Sequence, residues 1–357
     1  MTILLVRLRL IGDVVFTTPA IRALAQQFSG ARIIYVVEDG AFPVVAHSPY
    51  LAEAVSVPHV RGWRRLRDDA KLARRLRALG VDLAIDFHGG PRSAWLTWAS
   101  RAPKRVGYDV QGRTWMYTDV VHRPRELRPR HSVENQWDLL AVVHPALARP
   151  ADPARDRVEM AVDPAWRRAI DGRLASWGVP ADARVIAIHV SAGNPFRRWP
   201  EPAFAELAGR LVAADSRRWI VLAGGPSDRE ATSRVLASAR AASGAAAPRI
   251  VDGEGMPLGE LRALMDRAAL FIGGDSGPLH VASTSDVPIV GLYGPTLPVR
   301  SAPWRPRTLP TASVDAGELP CRPCDQRVCA PGDFRCLTTV TAEAVRTAAE
   351  RLLEAAR

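Results

Sequence analysis

Seven short runs of branched apolar residues recur along the chain, with helix-period segments between them. They are TILLVRL at 2–8, RIIYVVE at 32–38, VDLAIDF at 81–87, RVIAIHV at 184–190, RWIVLAGG at 218–225, ALFIGGD at 269–275 and PIVGLYG at 288–294. Their apolar stretches lack polar alternation, so each reads as a strand buried on both faces. The intervening segments place apolar residues at helical spacing. Examples are Pro19, Ile21 and Leu24, then Ala70 to Leu79, 201–212, 227–240 and 258–268. Strand–helix alternation of this kind predicts an α/β class with doubly wound parallel sheets.

The alternation breaks once. HPALARPADPARDR, from 144, is rich in Pro, Arg and Ala and has no period. It predicts an interdomain linker at 151–165 between domains at 1–150 and 166–340. A final helix is expected at 341–357. The length of 357 residues suits two cores, and 47% apolar with 24% charged residues excludes disorder, collagen and coiled coil. No run of about 18 apolar residues appears. Met1 to Leu5 is apolar but followed by Arg7, Arg9 and Asp13, so it reads as a first strand rather than a leader. The expected location is cytoplasmic.

Charge is uneven. The net of +11 comes from 48 basic and 37 acidic residues, and only Lys71 and Lys104 are lysines. The first 160 residues carry 24 basic and 16 acidic residues. The densest stretch runs from Arg61 to Arg77 and includes Arg64 and Arg65. A basic face attracts polyanions such as nucleic acid, anionic lipid or a phosphorylated glycan, although a solvated helix face looks the same in sequence.

Four segments carry chemistry. In L-R-L-I-G-D-V-V-F-T-T-P-A-I, at 8–21, Gly12 permits a tight turn and Asp13 leaves a strand just before a helix. A carboxylate there serves as a helix cap or as a general base. In S-A-G-N-P-F-R-R-W-P-E, at 191–201, adjacent arginines at a strand end suit a diphosphate. In I-G-G-D-S-G-P-L-H, at 272–280, Asp275, Ser276 and Gly277 make the turn and Pro278 opens a helix. Its amides, the Ser276 hydroxyl and His280 form an anion site. The turn is neither a Walker motif nor G-x-G-x-x-G, which argues against ATP hydrolysis and nicotinamide binding. Last, Cys321, Cys324, Cys329 and Cys336 have the spacing C-x2-C-x4-C-x6-C. Four thiols within 16 residues suit a structural Zn or Fe ion, the more so in a reducing compartment. Most of the eight histidines have no pattern. Apart from His280, His88, in D-F-H-G-G at a strand end, is the one that points toward a ligand.

Taken in order, the strand–G-D–helix opening, the R-R-W-P-E loop, the L-A-G-G-P strand end and the G-D-S-G-P-L-H turn resemble glycosyltransferase family 9, the ADP-heptose:lipopolysaccharide heptosyltransferases. The resemblance implies a GT-B fold, two Rossmann-like domains facing across a cleft, with a last helix that crosses back to the first. It implies Asp13 as general base of an inverting transfer, with Gly12 beside it. It implies an ADP-heptose donor held by Ser191, Gly193, Arg197, Asp275, Ser276, Gly277 and His280. Arg197 stands where several members have lysine. A further acidic donor residue of the family is not cleanly matched, Ser227 or Asp228 being nearest, and the resemblance places Met256 by the adenine through its backbone. The acceptor side would use Arg61, Arg64, Arg65 and His88. The acceptor implied is anionic Kdo–lipid A or heptosylated core, with peripheral contact at the inner membrane and no nucleic acid. No cofactor is implied for the chemistry. A protein acceptor, as in related autotransporter heptosyltransferases, or another nucleotide-sugar is the alternative.

Overall fold

The computed structural model describes residues 1–59, 62–122, 130–225 and 228–355. The chain forms two compact units, Met1–Ala161 and Val162–Arg357. The first holds β1 (Thr2–Val6), β2 (Arg32–Glu38), β3 (Glu53–Val57), β4 (Leu83–Asp86), β5 (Lys104–Tyr108) and β6 (Asp119–Val121). They form one sheet in the order β3-β2-β1-β4-β5-β6, every neighbour pair parallel. The second holds β7 (Arg184–His189), β8 (Arg218–Gly224), β9 (Ile250–Glu254), β10 (Ala268–Gly274), β11 (Ile289–Tyr293) and β12 (Thr311–Asp315). Its order is β12-β11-β10-β7-β8-β9, again all parallel.

Both sheets follow one plan. The first strand of each unit is central, the next two add to one side, and the remaining three add to the other. The order reverses between β1 and β4 and between β7 and β10. A crevice opens at the carboxyl end of such a reversal because the flanking connections leave in opposite directions.

The apolar runs build the cores as their composition requires. Ile3, Leu4, Leu5 and Val6 are fully buried, as are Ile186, Ala187 and Ile188. The Gly62–Ala78 helix is longer than the Ala70–Leu79 periodicity marked. Its apolar face is Leu72, Ala73 and Leu76, and its other face presents Arg64, Arg67, Lys71 and Arg74 to solvent. Among the described residues no helix is long and apolar enough to cross a membrane.

The last helix, Ala342–Ala355, belongs to the second unit. Its buried Val345, Ala349, Leu352 and Leu353 join the core of the second unit with Ile186 and Leu211. Buried Arg218 donates to both carboxylate oxygens of Glu350, at 2.7 and 2.6 Å. The apolar face therefore packs on the second sheet. Leu353→Ala is expected to lower stability by about 2–5 kcal/mol, through lost burial and the cavity left behind. A urea titration followed by circular dichroism checks it.

Candidate functional site

In the first unit, Asp13 and His88 occupy the two connections at the sheet reversal. Gly12 and Asp13 lie inside a short helix, Ile11–Val15, so Gly12 is a buried helical residue and not a turn. Asp13 Oδ2 accepts from the Leu10 backbone N–H at 3.4 Å. The same oxygen is ion-paired with the Arg7 guanidinium. Arg7 Nη1 also donates to the Phe87 carbonyl at 2.6 Å. Arg7 thus joins the connection after β1 to the one after β4. Asp13 thus serves as a helix cap, and its side chain remains 35% exposed.

The connection after β4 is held by Asp86. This fully buried carboxylate accepts from the N–H of His88 at 2.8 Å and of Gly89 at 2.9 Å. It also accepts from Ser93 Oγ at 2.9 Å and Tyr117 OH at 2.7 Å. Burial pushes its carboxyl up, and these four donors oppose the shift. Gly89 has φ +69°, a conformation that favours glycine. His88 is therefore set by a rigid turn. Burial first, then the charge on Arg7, holds its imidazole down at about 4. At neutral pH it offers a neutral ring, not a cation. It lines a cleft of about 310 Å³ with Leu8, Arg9, Glu38, His59 and Arg65.

The basic stretch divides. Arg64 is exposed. Arg65 lies 3.6 Å from Asp69, which also binds buried Arg92 at 2.7 Å. Arg61 lies outside the described residues, as does Ser227.

In the second unit, the connections after β7 and β10 converge on Asp275. This carboxylate is 2% exposed. Thr296 Oγ1 donates to its Oδ2 at 2.5 Å. Arg197 Nη1 lies 3.3 Å from Oδ2, and His280 Nε2 lies 3.4 Å from Oδ1. Burial pushes the Asp275 carboxyl up, but His280, Arg197 and Thr296 outweigh it and hold it at about 2. The structure gives a buried ionised carboxylate with the Arg197 guanidinium and the His280 ring folded onto it.

Ser276 precedes the helix Gly277–Ala282. Its hydroxyl donates to the Gly274 carbonyl at 3.2 Å. The helix has only 6 residues, so its aligned dipoles are few and the local amides supply most of any anion attraction. The two adjacent arginines separate. Arg197 turns in to Asp275, whereas Arg198 Nε donates to the Ala192 carbonyl at 2.9 Å. Ser191 is buried and Gly193 exposed on the same loop. Asp228 is buried at the N-terminus of Arg229–Ala242, where its carboxylate accepts from the Gly225 N–H at 3.2 Å. The Met256 side chain belongs to the core, beside Leu261 and Phe271.

The four cysteines are free and half-buried. They line one pocket of about 220 Å³ with Phe196 and Phe334. Burial, and then the nearby Cys324, Cys321 and Cys329, push the Cys336 thiol up. Among the described residues, however, no three His, Cys, Asp or Glu side chains are arranged to hold one metal ion.

Sequence reasoning missed Arg7, Thr296 and Gln326. Arg7 and Thr296 carried only a weak signal, one polar residue next to a strand end. Gln326 carried none.

The sequence model of glycosyltransferase family 9 (heptosyltransferase) matches residues 70–332. Lipopolysaccharide heptosyltransferase 1 of Pseudomonas aeruginosa is 28% identical over 344 residues, covering 92% of this chain and 87% of its own. Among solved structures, a glycosyltransferase family 9 protein of Veillonella parvula superposes with a TM-score of 0.81 at 24% identity, covering 99% of this chain and 97% of that one. The E. coli heptosyltransferase WaaC with ADP-2-deoxy-2-fluoro heptose gives 0.66 at 23% identity, covering 98% and 99%. The two parallel-sheet units are thus those of a GT-B fold. A family match that spans well over half of the sequence leads to one statement: the chain belongs to glycosyltransferase family 9.

Proposed function

We propose that the chain is an inverting heptosyltransferase that moves heptose from ADP-L-glycero-D-manno-heptose to the inner core of lipopolysaccharide. The observation that carries this reading is the Arg197–Asp275–His280 hub at the β7/β10 reversal. It prepares one partly exposed guanidinium beside the amides of the 275–277 turn. The names of the relatives support the donor and the pathway, since one is a lipopolysaccharide heptosyltransferase and another was solved with an ADP-heptose analogue.

The mechanism follows from charge. An acceptor hydroxyl attacks the anomeric carbon as the bond to the diphosphate breaks. The hydroxyl proton goes to Asp13, oriented by Arg7. Negative charge grows on the leaving diphosphate, and Arg197 with the Ser276 and Gly277 amides meets it. His280 and Asp275 act through Arg197 by fixing its position. Neutral His88 offers a hydrogen bond to an acceptor oxygen. The exposed arginines of Gly62–Ala78 attract an anionic acceptor and the anionic leaflet that carries it.

Because the chain supplies the charge itself, the reaction is proposed to need no divalent ion. Activity in excess EDTA should stay within about twofold of that with Mg²⁺. A drop of tenfold or more, restored by Mg²⁺, would assign that charge to a metal instead. The direct test is ADP release from ADP-heptose with Kdo–lipid A. Acceptor-dependent release supports the reading. ADP binding without release points to another acceptor, such as heptosylated core or protein. Absence of ADP binding removes the donor assignment.

A further inference from the structure

We propose that the loop carrying the four cysteines is a wall of the donor-diphosphate site, and that Gln326 within it is a positioning residue for Arg197. The inference rests on the reading of Arg197 as a donor contact. Gln326 Oε1 accepts from Arg197 Nε at 2.7 Å and from Asn194 Nδ2 at 2.8 Å. Asn194 Oδ1 in turn accepts from the Phe196 N–H at 3.0 Å, which closes the Pro195–Arg197 turn. One carbonyl oxygen in the cysteine loop therefore fixes both the guanidinium and the turn that bears it.

A second set of contacts reaches the same hub from its other side. Arg322 Nη2 donates to the Thr296 carbonyl at 2.9 Å, and the Cys324 N–H to the Pro295 carbonyl at 3.3 Å. Thr296 is the residue whose hydroxyl donates to Asp275. The Phe196 and Phe334 rings meet at 5.4 Å. The loop thus grips both segments that hold Asp275, yet it supplies no charge of its own at Arg197.

The chemistry suits this task. Arg197 must be held firmly without losing its charge. Asp275 already provides one anion, and a second carboxylate would neutralise the cation that the diphosphate needs. A neutral amide carbonyl orients Nε and leaves the net charge available. Gln326 also has φ +60°, a left-handed conformation that few non-glycine residues adopt.

The test measures ADP affinity by calorimetry and donor KM and kcat by ADP release. It compares Gln326→Ala, Gln326→Asn, Arg197→Ala and the double variant Gln326→Ala/Arg197→Ala. Asparagine tolerates the positive φ well but is one methylene too short to reach Arg197, so it separates the lost hydrogen bond from backbone strain. Both Gln326 variants should weaken ADP binding by about tenfold with unchanged melting temperature. In the Arg197→Ala background, Gln326→Ala should add less than twofold, because its effect passes through the missing guanidinium. Full additivity, or wild-type affinity in Gln326→Asn, overturns the inference while the donor reading stands. Unchanged ADP affinity in Arg197→Ala overturns both.

Discussion

Asp13→Asn is expected to reduce the acceptor-dependent rate by about 10²–10⁴ while leaving ADP affinity unchanged. The factor is what a positioned general base contributes to a proton transfer. Asparagine is nearly isosteric and cannot take the proton. Its side-chain oxygen can still accept from the Leu10 N–H, so the helix Ile11–Val15 keeps its cap. What it loses is the ion pair with Arg7. With Asp13 about one-third exposed, that pair contributes roughly 0–1 kcal/mol. The folded protein should therefore melt within a few degrees of wild type, and the rate loss can be assigned to chemistry. Initial rates of ADP release, beside an ADP titration, provide the check. A rate within tenfold of wild type would take the base role from Asp13 and leave it as a helix cap. Asp13→Glu should also be slow, since the longer arm moves the carboxylate while keeping its charge.

How much of this was legible in sequence depends on what each residue had to show. The seven apolar runs mark seven of the twelve strands. The others lack that signal for physical reasons. EAVSV in β3 and KRVGY in β5 are short and mix polar with apolar residues. β6 has three residues and lies at a sheet edge, where one flank needs no apolar partner. β9 and β12 are the outer strands of the second sheet. The site residues that were read, Asp13, Arg197, Asp275 and Ser276, all follow a strand end, where polar residues interrupt an apolar run. Their partners were not readable. Arg7 looks like one more arginine in a basic half, and Gln326 lies 129 residues from Arg197. Periodicity says nothing about such pairs, because it reads one element at a time and these contacts join different segments. The same gap explains why Arg197 and Arg198 looked equivalent, although one turns inward and the other braces its own loop.

Asp275 is where folding and binding should prove hardest to separate. In Asp275→Ala, Arg197 and His280 lose the carboxylate they share, and the His280 side chain is almost wholly buried. Breaking a buried pair from one side costs about 3–5 kcal/mol. Asp275→Asn keeps an oxygen for Thr296 and should cost less, roughly 2 kcal/mol, the value of moving the carboxyl from its ordinary 3.8 down to about 2. The direction with pH follows. A depressed carboxyl stabilises the fold fully above its unfolded value near 4, and that contribution is lost as pH falls toward 2. The stability gap between wild type and Asp275→Asn should therefore be widest at pH 7 and narrow visibly by pH 3. Urea titrations at the two values measure it. A gap that stays constant would mean that the hub contributes through shape and hydrogen bonds rather than charge. ADP affinity should fall by at least tenfold in both variants, because Arg197 loses the partner that sets its angle. If affinity instead rises, Asp275 has been competing with the diphosphate for the guanidinium, and the hub would be a brake on donor binding rather than its scaffold.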